Sequence, residues 1–403
     1  MLLALAWILN NMSSNNTAFN NMYIADLEIC TPLSNDVAEL NEKIQANDNE
    51  FSIANFDGSL GLEINMSLCE PATFSAIKQP LQVDESYSYR DRILVKMAGQ
   101  TLAPLLTRLK QYSPTLAPLI LALPEQIPHH KPIAPQLLAN AIREHLGKAA
   151  EMIHWNQFMP VTIGRAGVLA ALSLAQKLFQ QNNGIELIVI GGIDSYRHSE
   201  VLLDLCKQQR ITRAGFSGFV AGEGAGFLVI TNNKKYALTA NEGYVQLHPP
   251  GLAVEQGYLG SQEPNLGQGL TKAIKTALDS SPNLEINQIY SSMNGEAIWA
   301  EEHIASTLRH RHQLGDNIEE KTLSIAYNIG DIGSASGALS IALSAHKLFS
   351  DAQPQRHLIT SGSDKNQRSA MCLTFEPAEA NKSEHSDTQD SVKVSANNEQ
   401  DDR

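Results

Sequence analysis

The stretch that most constrains the fold is residues 162–194. Its middle, from Ala166 to Phe179, is apolar around nearly its whole circumference, and its polar interruptions are Ser173, Gln176 and Lys177. A helix with this pattern has no face that prefers water, so we expect it to be buried on all sides. A buried helix of this length requires further layers of structure around it.

A buried strand follows this helix. After a polar break at residues 180–184, the run Leu187–Ile190 is apolar with three β-branched residues, and the pair Gly191 and Gly192 ends it. Such a short run is typical of a strand that is covered on both faces. The turn 162–167 then lies at the helix N-terminus, where we expect a pocket to open. This arrangement predicts a layered α/β core.

Charge and cysteine usage exclude several classes of function. The 403-residue chain carries a formal net charge of −13, which argues against nucleic acid or an anionic membrane as its main partner. Its cysteines are scattered and form no CxxC pair, so neither a zinc site nor a disulfide framework is indicated. We therefore expect a cytoplasmic protein without a metal ion or cofactor. The four cysteines are Cys30, Cys69, Cys206 and Cys372.

The two ends of the chain differ from its middle. The apolar residues 1–9 follow no Lys or Arg and are too few to span a bilayer, so we predict neither a signal peptide nor a membrane span. Residues 1–21, which include an Asn- and Ser-rich part, are predicted to be a flexible leader. Residues 377–403 are almost devoid of apolar side chains, which predicts a disordered acidic tail.

Helical and strand patterns alternate between these ends, which favours layered α/β over a helical bundle or a sandwich. Four local predictions can be compared directly with a structure. They are a helix that Ser34 caps, a helix over residues 89–111 with a kink or restart at Pro104, a strand over 236–246 and a helix over 303–314.

Four short motifs occur in a recognisable order. They are TPL at 31–33, GGIDS at 191–195, GFVAGEGAG at 218–226 and GDIGSASGA at 330–338. In this order and spacing they resemble the motifs of the β-ketoacyl synthases, which belong to the thiolase-like superfamily. The resemblance covers roughly residues 22–376, and GFVAGEGAG is its most specific part.

The resemblance implies both a fold and a catalytic apparatus. The fold has five stacked layers, α-β-α-β-α, built from two similar halves, which we place at residues 22–230 and 231–376. The assembly is a homodimer or a heterodimer with a ketosynthase-like protein. The nucleophile is a Cys at the N-terminus of the buried central helix, where the helix dipole and backbone N–H groups lower the thiol pKa and build an oxyanion hole. Two His residues assist decarboxylation of a malonyl unit, and a Lys supports one of them.

None of these four catalytic residues is present at its position. Because no Cys lies between Cys69 and Cys206, a small shift of the alignment does not restore the thiol. Glycine offers no nucleophile, so the resemblance implies that an acyl thioester cannot form here. The small and aromatic C-terminal loop of the family is also replaced, by the polar residues 362–367. The residues at the four positions are Gly164 for the Cys, Asn294 and Asp331 for the His pair, and Ala326 for the Lys.

The residues around the lost site suggest a replacement arrangement. Arg165 places a cation at a helix N-terminus, where the dipole disfavours it unless an anion is close. Asp331 lies on the loop that faces this helix end in the family. We therefore expect Arg165 to point out of the pocket or to pair with Asp331 or an acidic ligand, with Asn294 nearby. The alternative is that these residues have drifted and share no task. Ser292 and Ser334 are further pocket candidates, although hydroxyls bonded to backbone are the plainer interpretation.

The glycine-rich strand and several neighbours are interpreted as structural. Glu223 belongs to a structural motif of the family, so we expect it, like Asp194, to make structural hydrogen bonds. Cys206 lies beside leucines on a helix and is expected to be a small core residue. His310 and His312 point to different helix faces, which indicates a solvated basic turn and no metal site. The glycines of the motif are Gly191, Gly192, Gly222, Gly224 and Gly226.

Two classes of function follow from the resemblance. In the first, the protein is a non-catalytic partner or scaffold, analogous to chain-length-factor subunits or to degenerate ketosynthase-like proteins that accompany secretion-system clusters. Its partners would then be a ketosynthase-like protein, an acyl carrier protein or a secretion-system component. In the second, it is an acyltransferase, namely a 3-oxoacyl synthase, that uses non-standard residues. Alternatively within this class, it binds an acyl ligand in the tunnel where the family holds its acyl chain. The missing catalytic residues favour the first class.

Overall fold

The computed structural model describes residues 21–55, 63–69, 88–113, 115–127, 130–181, 184–213 and 217–378. The predicted leader up to residue 20 and the tail after residue 378 lie outside this range. The strands are β1 Met22–Cys30, β2 Ser52–Asn55, β3 Glu63–Ser67, β4 Leu119–Ala122, β5 Met159–Val161, β6 Leu187–Ser195, β7 Ala221–Thr231, β8 Thr239–Ala240, β9 Gly243–Leu247, β10 Gly251–Val254, β11 Ile286–Ser291, β12 Thr322–Leu323, β13 Arg356–Gly362 and β14 Gln367–Pro377. The helices are α1 Val37–Gln45, α2 Tyr89–Tyr112, α3 Pro135–Leu146, α4 Gly167–Gln181, α5 Ser199–Lys207, α6 Gln268–Asp279, α7 Ala297–Leu308, α8 Arg311–Leu314, α9 Ile318–Lys321, α10 Ala326–Ile329 and α11 Ser336–Asp351.

The main strands follow one continuous order, β12-β11-β13-β14-β9-β1-β7-β6-β4-β5. Strands β4, β5 and β6 are parallel to one another, as are β11, β12 and β13. Strand β1 pairs antiparallel with β7 along most of its length and with β9 at Met22 and Tyr23. The pairing of β1 with β9 therefore joins the strands that precede residue 232 to those that follow residue 238.

Alternate side chains of each strand show which helices cover the sheet. In β6, Ile188 and Ile190 pack in a core with α4 and α11, whereas Leu187 and Val189 pack with α2 and α3 on the opposite face. This alternation explains why the whole strand is apolar, since both of its faces are buried.

The second group of strands shows the same alternation. In β13, Ile359 faces the core that contains α4 and α11, whereas Leu358 faces α6. Helices α4 and α11 therefore lie between two sheet layers, with α2 and α3 outside one layer and α6 outside the other. The predicted five-layer α-β-α-β-α fold is confirmed.

The two central helices position the region of interest. A 3₁₀ turn, Gly164–Ala166, precedes α4, and a second, Gly333–Ala335, precedes α11. Both turns begin with a glycine in the left-handed region, with φ of +60° at Gly164 and +50° at Gly333. The two turns contact each other, so both helices begin at the centre of the molecule.

The first two local predictions differ in outcome, since the predicted Ser34 cap is wrong and the helix predicted over residues 89–111 is present as Tyr89–Tyr112. Asp36 caps α1 by accepting from Glu39 N, while the Ser34 hydroxyl bonds to the Glu39 carboxylate. Helix α2 runs without a restart through Pro104. Its neighbours Leu102 and Leu105 are fully buried, and this packing holds the helix across the missing hydrogen bond.

Two further predictions differ in the C-terminal half. Residues 236–246 contain the end of a 3₁₀ turn and a β8–β9 hairpin, because Asn241 and Glu242 take positive φ and reverse the chain. The predicted helix 303–314 begins earlier, at Ala297, and ends at Leu308, before the separate helix α8. In the part of the chain that the structure covers, no helix combines the length and the hydropathy that crossing a bilayer requires.

Candidate functional site

A cavity of about 220 Å³ opens at the start of α4. Gly164 and Arg165 line it together with Glu125, Arg210 and Asp364. The pocket that the sequence predicts at the N-terminus of the buried helix is therefore present, and its walls are rich in charged side chains.

Arg165 is buried and makes contacts on every side. Its Nη1 donates to Asp331 Oδ2 at 2.5 Å, its Nε donates to the Gly362 carbonyl at 2.9 Å, and its Nη2 donates to Asp364. Its guanidinium carbon lies 4.8 Å from the centre of the Trp299 ring. Of the two predicted orientations, Arg165 takes the one that pairs with Asp331.

Asp331 connects the two helix starts. Its Oδ2 also accepts from Asn294 Nδ2 at 2.8 Å, and its Oδ1 accepts from the backbone N–H of Gly333 at 2.8 Å. Asn294 in turn accepts from the Glu296 backbone N–H at 3.1 Å. The structure thus brings Arg165, Asn294 and Asp331 into one hydrogen-bonded group.

A second arginine extends this group. Arg210 donates to both carboxylate oxygens of Glu296, at 2.7 and 2.9 Å, and its Nη1 donates to Asp364 Oδ2 at 2.8 Å. The charges therefore alternate along a chain from Asp331 through Arg165, Asp364 and Arg210 to Glu296. We call these five residues the ionic chain. Sequence reasoning missed Arg210 and Glu296, whose positions carry no recognisable motif.

The pKa values of two central members of the ionic chain favour their charged forms. Burial on its own would raise the pKa of Asp364, but Arg165 and Arg210 outweigh burial and lower this pKa to about 2. Burial would lower the pKa of Arg165, but attraction by Asp331 and Asp364 brings it above its ordinary value. The cations and anions of the chain therefore stabilise one another, and each is costly to leave unpaired.

Glu125 is the most informative residue that sequence reasoning missed. Its two carboxylate oxygens accept from the backbone N–H groups of Asp364 and Lys365, both at 3.0 Å. A Cβ added at Gly164 would lie 3.2 Å from Glu125 Oε2. Burial, together with repulsion by Asp364, raises the pKa of Glu125 to about 7. A carboxyl group that titrates near neutrality thus lies where a side chain at residue 164 would emerge.

The loop after β13 is fixed over the start of α4. The Ser363 hydroxyl donates to the Ile163 carbonyl, and Arg368 Nη1 donates to the carbonyls of Ser363 and Lys365 at 2.9 and 2.7 Å. Arg368 is itself buried and paired with Glu302. Because both side chains and backbone hold this polar loop, it forms a rigid wall of the cavity.

The remaining pocket candidates serve the backbone. Ser292 Oγ accepts from the Gly362 N–H at 3.1 Å, and Ser334 Oγ donates to the Ile193 carbonyl at 2.7 Å. Ala326, at the position of the family's Lys, is buried at the start of α10. These contacts agree with the plainer interpretation of the two hydroxyls.

The two acidic residues interpreted as structural do make structural hydrogen bonds. Glu223 accepts from Arg197 Nε and from the Cys69 N–H, both at 2.8 Å. Asp194 accepts from Arg90 Nη2 at 2.9 Å. Both carboxylates are buried, and burial raises the pKa of each, while their arginine partners oppose this effect.

The motif glycines lie where two backbones approach closely. A Cβ on Gly192 would lie 2.0 Å from the Ser334 carbonyl oxygen, and one on Gly222 would lie 2.7 Å from the Ile329 carbonyl oxygen. Only glycine fits such contacts without displacing a backbone segment. Added Cβ atoms at the other motif glycines would also meet close neighbours, and these are Gly191, Gly224 and Gly226.

The thiols lie away from Gly164. Cys206 packs with apolar neighbours on α5, and burial raises its pKa. The sulfur atoms of Cys30 and Cys69 are 3.8 Å apart, and Cys372 is buried against α6. All four cysteines belong to the described residues, and none of them lines the cavity at Gly164.

Comparison with known proteins gives a result at the level of structure. No known protein family matches the sequence. No curated protein matches it either. Among solved structures, a ketosynthase from module 6 of the bacillaene synthase of Bacillus subtilis 168 matches with a TM-score of 0.66 at 14% identity, over 88% of this chain and 72% of that one. The chain has the thiolase-like fold of the ketosynthases.

Two further ketosynthase-fold structures match over nearly their full length. The ishigamide ketosynthase/chain length factor has a TM-score of 0.62 and 15% identity, over 89% of this chain and 99% of that one. A type II polyketide ketosynthase in complex with its acyl carrier protein has a TM-score of 0.62 and 12% identity, over 89% and 100%. At such identities the similarity establishes the fold of this ketosynthase-like chain and leaves its chemistry to its own residues.

Proposed function

We propose that this protein is a ketosynthase-like partner or scaffold that does not carry out condensation. The observation that supports this most directly is at the start of α4. There, Gly164 occupies the position of the family's nucleophile, and the Glu125 carboxyl group faces the space that a side chain at residue 164 would fill. Neither group forms an acyl thioester.

The surrounding charges also oppose thiolate chemistry. A nucleophilic thiolate is stabilised by nearby positive charge and by unpaired N–H donors. Here the guanidinium of Arg165 is paired with Asp331 and Asp364. The backbone N–H groups of Asp364 and Lys365 donate to Glu125. The cavity therefore offers carboxylates where an anionic intermediate would need donors.

Acyl thioesters give a direct test of the non-catalytic proposal. The protein is incubated with acyl-CoA and with an acylated carrier protein, and its intact mass is then measured beside that of an active ketosynthase. We expect the active enzyme to gain the acyl mass and this protein to remain unmodified. An acyl adduct on this protein, mapped to any side chain, would overturn the proposal.

The partner proposal rests on the fold and on one exposed sheet edge. Strand β5 ends the strand order and pairs only with β4 among the described strands, so no described strand covers its other edge. We propose a homodimer or a heterodimer with a ketosynthase-like protein, with an acyl carrier protein as a further partner. Sedimentation of the protein alone, and then with a co-expressed ketosynthase, should give a dimer in one of the two samples. A monomer in both would contradict the proposal.

A second candidate function is the binding of an acyl or related small ligand. The specific observation is that the cavity at Gly164 adjoins another of about 320 Å³, with which it shares Arg90, Glu125, Gln126 and Ile127. Thermal unfolding with and without fatty acyl-CoA tests this candidate. A ligand present at 100 times its Kd should add about 2.7 kcal/mol to the stability of the protein. An unchanged melting temperature at saturating acyl-CoA would remove this candidate and leave the partner proposal intact.

A further inference from the structure

Two histidines and a glutamate meet beside the larger cavity. His130 and His198 line this cavity, and their rings lie edge to face with centroids 5.8 Å apart. One side-chain donor atom from each of His130, His198 and Glu200 lies within 4.8 Å of the other two. Among the residues that the structure describes, these three form the one group of His, Cys, Asp or Glu side chains whose donor atoms are close enough to hold a metal ion.

The orientation of His130 is fixed by a carboxylate behind it. His130 Nε2 lies 2.8 Å from Asp204 Oδ2, and because an ionised carboxylate only accepts, Nε2 carries the proton. In the neutral ring this leaves a lone pair on Nδ1. A carboxylate that fixes the ring in this way is the usual outer partner of a metal-bound histidine.

The Nδ1 atom of His130 has no hydrogen-bond partner among the described residues. The side chain of His130 is only 10% exposed, so water does not readily compensate, and an unpaired buried nitrogen is costly. The group nearest to it is the Glu200 carboxylate, whose Oε2 lies 3.9 Å away. A cation between these two atoms would be bonded by both.

We propose that His130, His198 and Glu200 bind one divalent transition-metal ion, with Zn²⁺ as the best match. Two imidazole nitrogens and one carboxylate oxygen are a donor set that Zn²⁺ prefers, and Glu200 is 79% exposed, so a fourth position remains for water. His198 Nδ1 now accepts from the Val201 N–H at 3.4 Å, a contact long enough to be exchanged for a metal bond.

The charges around the group are compatible with a cation. Glu200 and Asp204 contribute two negative charges. Of the nearby cations, Arg90 is paired with Asp194 and Lys207 with Asp204, while Lys131 lines the same cavity beside His130. The ion would join the segment that contains His130 to helix α5, and so would brace one wall of the larger cavity. This inference does not depend on whether the protein catalyses condensation.

Metal titration of the untagged full-length protein tests the site. After dialysis against EDTA, the protein is titrated with Zn²⁺ by calorimetry and with Co²⁺ by visible absorption, which reports coordination. We expect one ion per chain, and a loss of affinity of more than about 100-fold in His130→Ala and in His198→Ala. Glu200→Gln should lose about tenfold or more, and Asp204→Asn about 10–100-fold through the orientation of His130. The control is His312→Ala, which changes an exposed histidine far along the chain and should bind the metal as the unchanged protein does.

As a control for correct folding, the melting temperature of each variant is measured in EDTA. The metal should raise the melting temperature of the unchanged protein and of His312→Ala, and should leave that of His130→Ala unaltered. Absence of stoichiometric binding, or equal affinity in His130→Ala, would overturn the proposal. The same conclusion would follow if NMR found His130 doubly protonated and paired with Asp204 and Glu200 in the presence of excess Zn²⁺.

Discussion

The starts of helices α4 and α11 are built alike and closed differently. Each has an isoleucine, a glycine with positive φ and a 3₁₀ turn before the helix. A Cβ added at Gly333 would lie 1.9 Å from Asp194 Oδ2, an overlap that no side chain can tolerate in place. A Cβ added at Gly164 would lie 3.1 Å from Glu125 Cβ and would face a cavity.

This difference indicates that the start of α11 is purely structural, whereas the start of α4 keeps the geometry of a site. Asp194 is held by Arg90 and by the backbone N–H of Ser334, so at the start of α11 a fixed carboxylate occupies the space that a side chain at residue 333 would need. Glu125 is held by two backbone N–H groups and titrates near pH 7, so the start of α4 has a carboxyl group that can change its charge. The repeat of one local fold therefore does not imply a repeat of one task.

The largest expected effect is that of Arg165→Met. This change leaves Asp331 and Asp364 without their shared cation in a buried place, and it should lower the free energy of unfolding by about 3–5 kcal/mol. Urea denaturation measures this difference. The control is Arg311→Met, which removes an exposed pair with Asp316 and should leave the free energy of unfolding nearly unchanged. Equal losses in the two variants would mean that the ionic chain does not stabilise the start of α4.

Alanine at the two glycines tests the comparison itself. Gly164→Ala should cost about 1–2 kcal/mol, because φ is +60° and the added Cβ meets only the Glu125 side chain closely. Gly333→Ala should cost about 1–3 kcal/mol more than Gly164→Ala, because its Cβ overlaps with Asp194. The order of the two urea midpoints is the result to check, and equal values for the two variants would contradict it.

The charge of Glu125 predicts a pH dependence of stability. The pKa is raised from 4.5 to about 7 on folding, so the folded state holds this proton more tightly than the unfolded state. This difference in proton affinity stabilises the folded state fully below pH 4.5, and the stabilisation is lost as the pH rises to 7. The unchanged protein should therefore lose stability relative to Glu125→Gln over this range, by at most about 1.4 kcal/mol per pH unit. A constant difference between the two proteins from pH 4.5 to 8 would show that Glu125 is ionised throughout.

Much of the fold could be predicted from the sequence because its layers have simple periodic patterns. The apolar circumference of α4 and the apolar run of β6 predict burial on all sides, and both are buried. The pairing of Arg165 with Asp331 could also be predicted, since a cation at a helix N-terminus needs an anion. The assignment of residues 22–230 and 231–376 to two halves, and the loss of activity, stay predictions.

Residues that act together from distant parts of the chain could not be predicted. Glu125 lies three residues after the buried strand β4, and a charge at that place is the one signal that could have identified it. His130 and His198 are far apart in sequence and fit no ligand-spacing pattern, so the expectation of no metal site followed from sequence alone. Their proximity depends on how α5 packs against the chain after β4.

The smallest expected effect is on catalysis by Gly164→Cys. The new thiol would lie close to the Glu125 carboxyl group and near Asp364, and negative charge at this distance raises a thiol pKa. Asn294 is an amide and Asp331 is paired with Arg165, so neither supplies a free base.

Iodoacetamide labelling and a condensation assay on Gly164→Cys check this prediction. Labelling at residue 164 should be appreciable only at alkaline pH, and it should extend to lower pH when Glu125→Gln is added, since one carboxylate is then removed. Neither variant should condense an acyl thioester with a malonyl thioester. The thiol would be the only catalytic group restored in Gly164→Cys. Measurable condensation by this single variant would therefore show that the surroundings of residue 164 still support catalysis, and it would contradict the proposal that the site has lost its catalytic function.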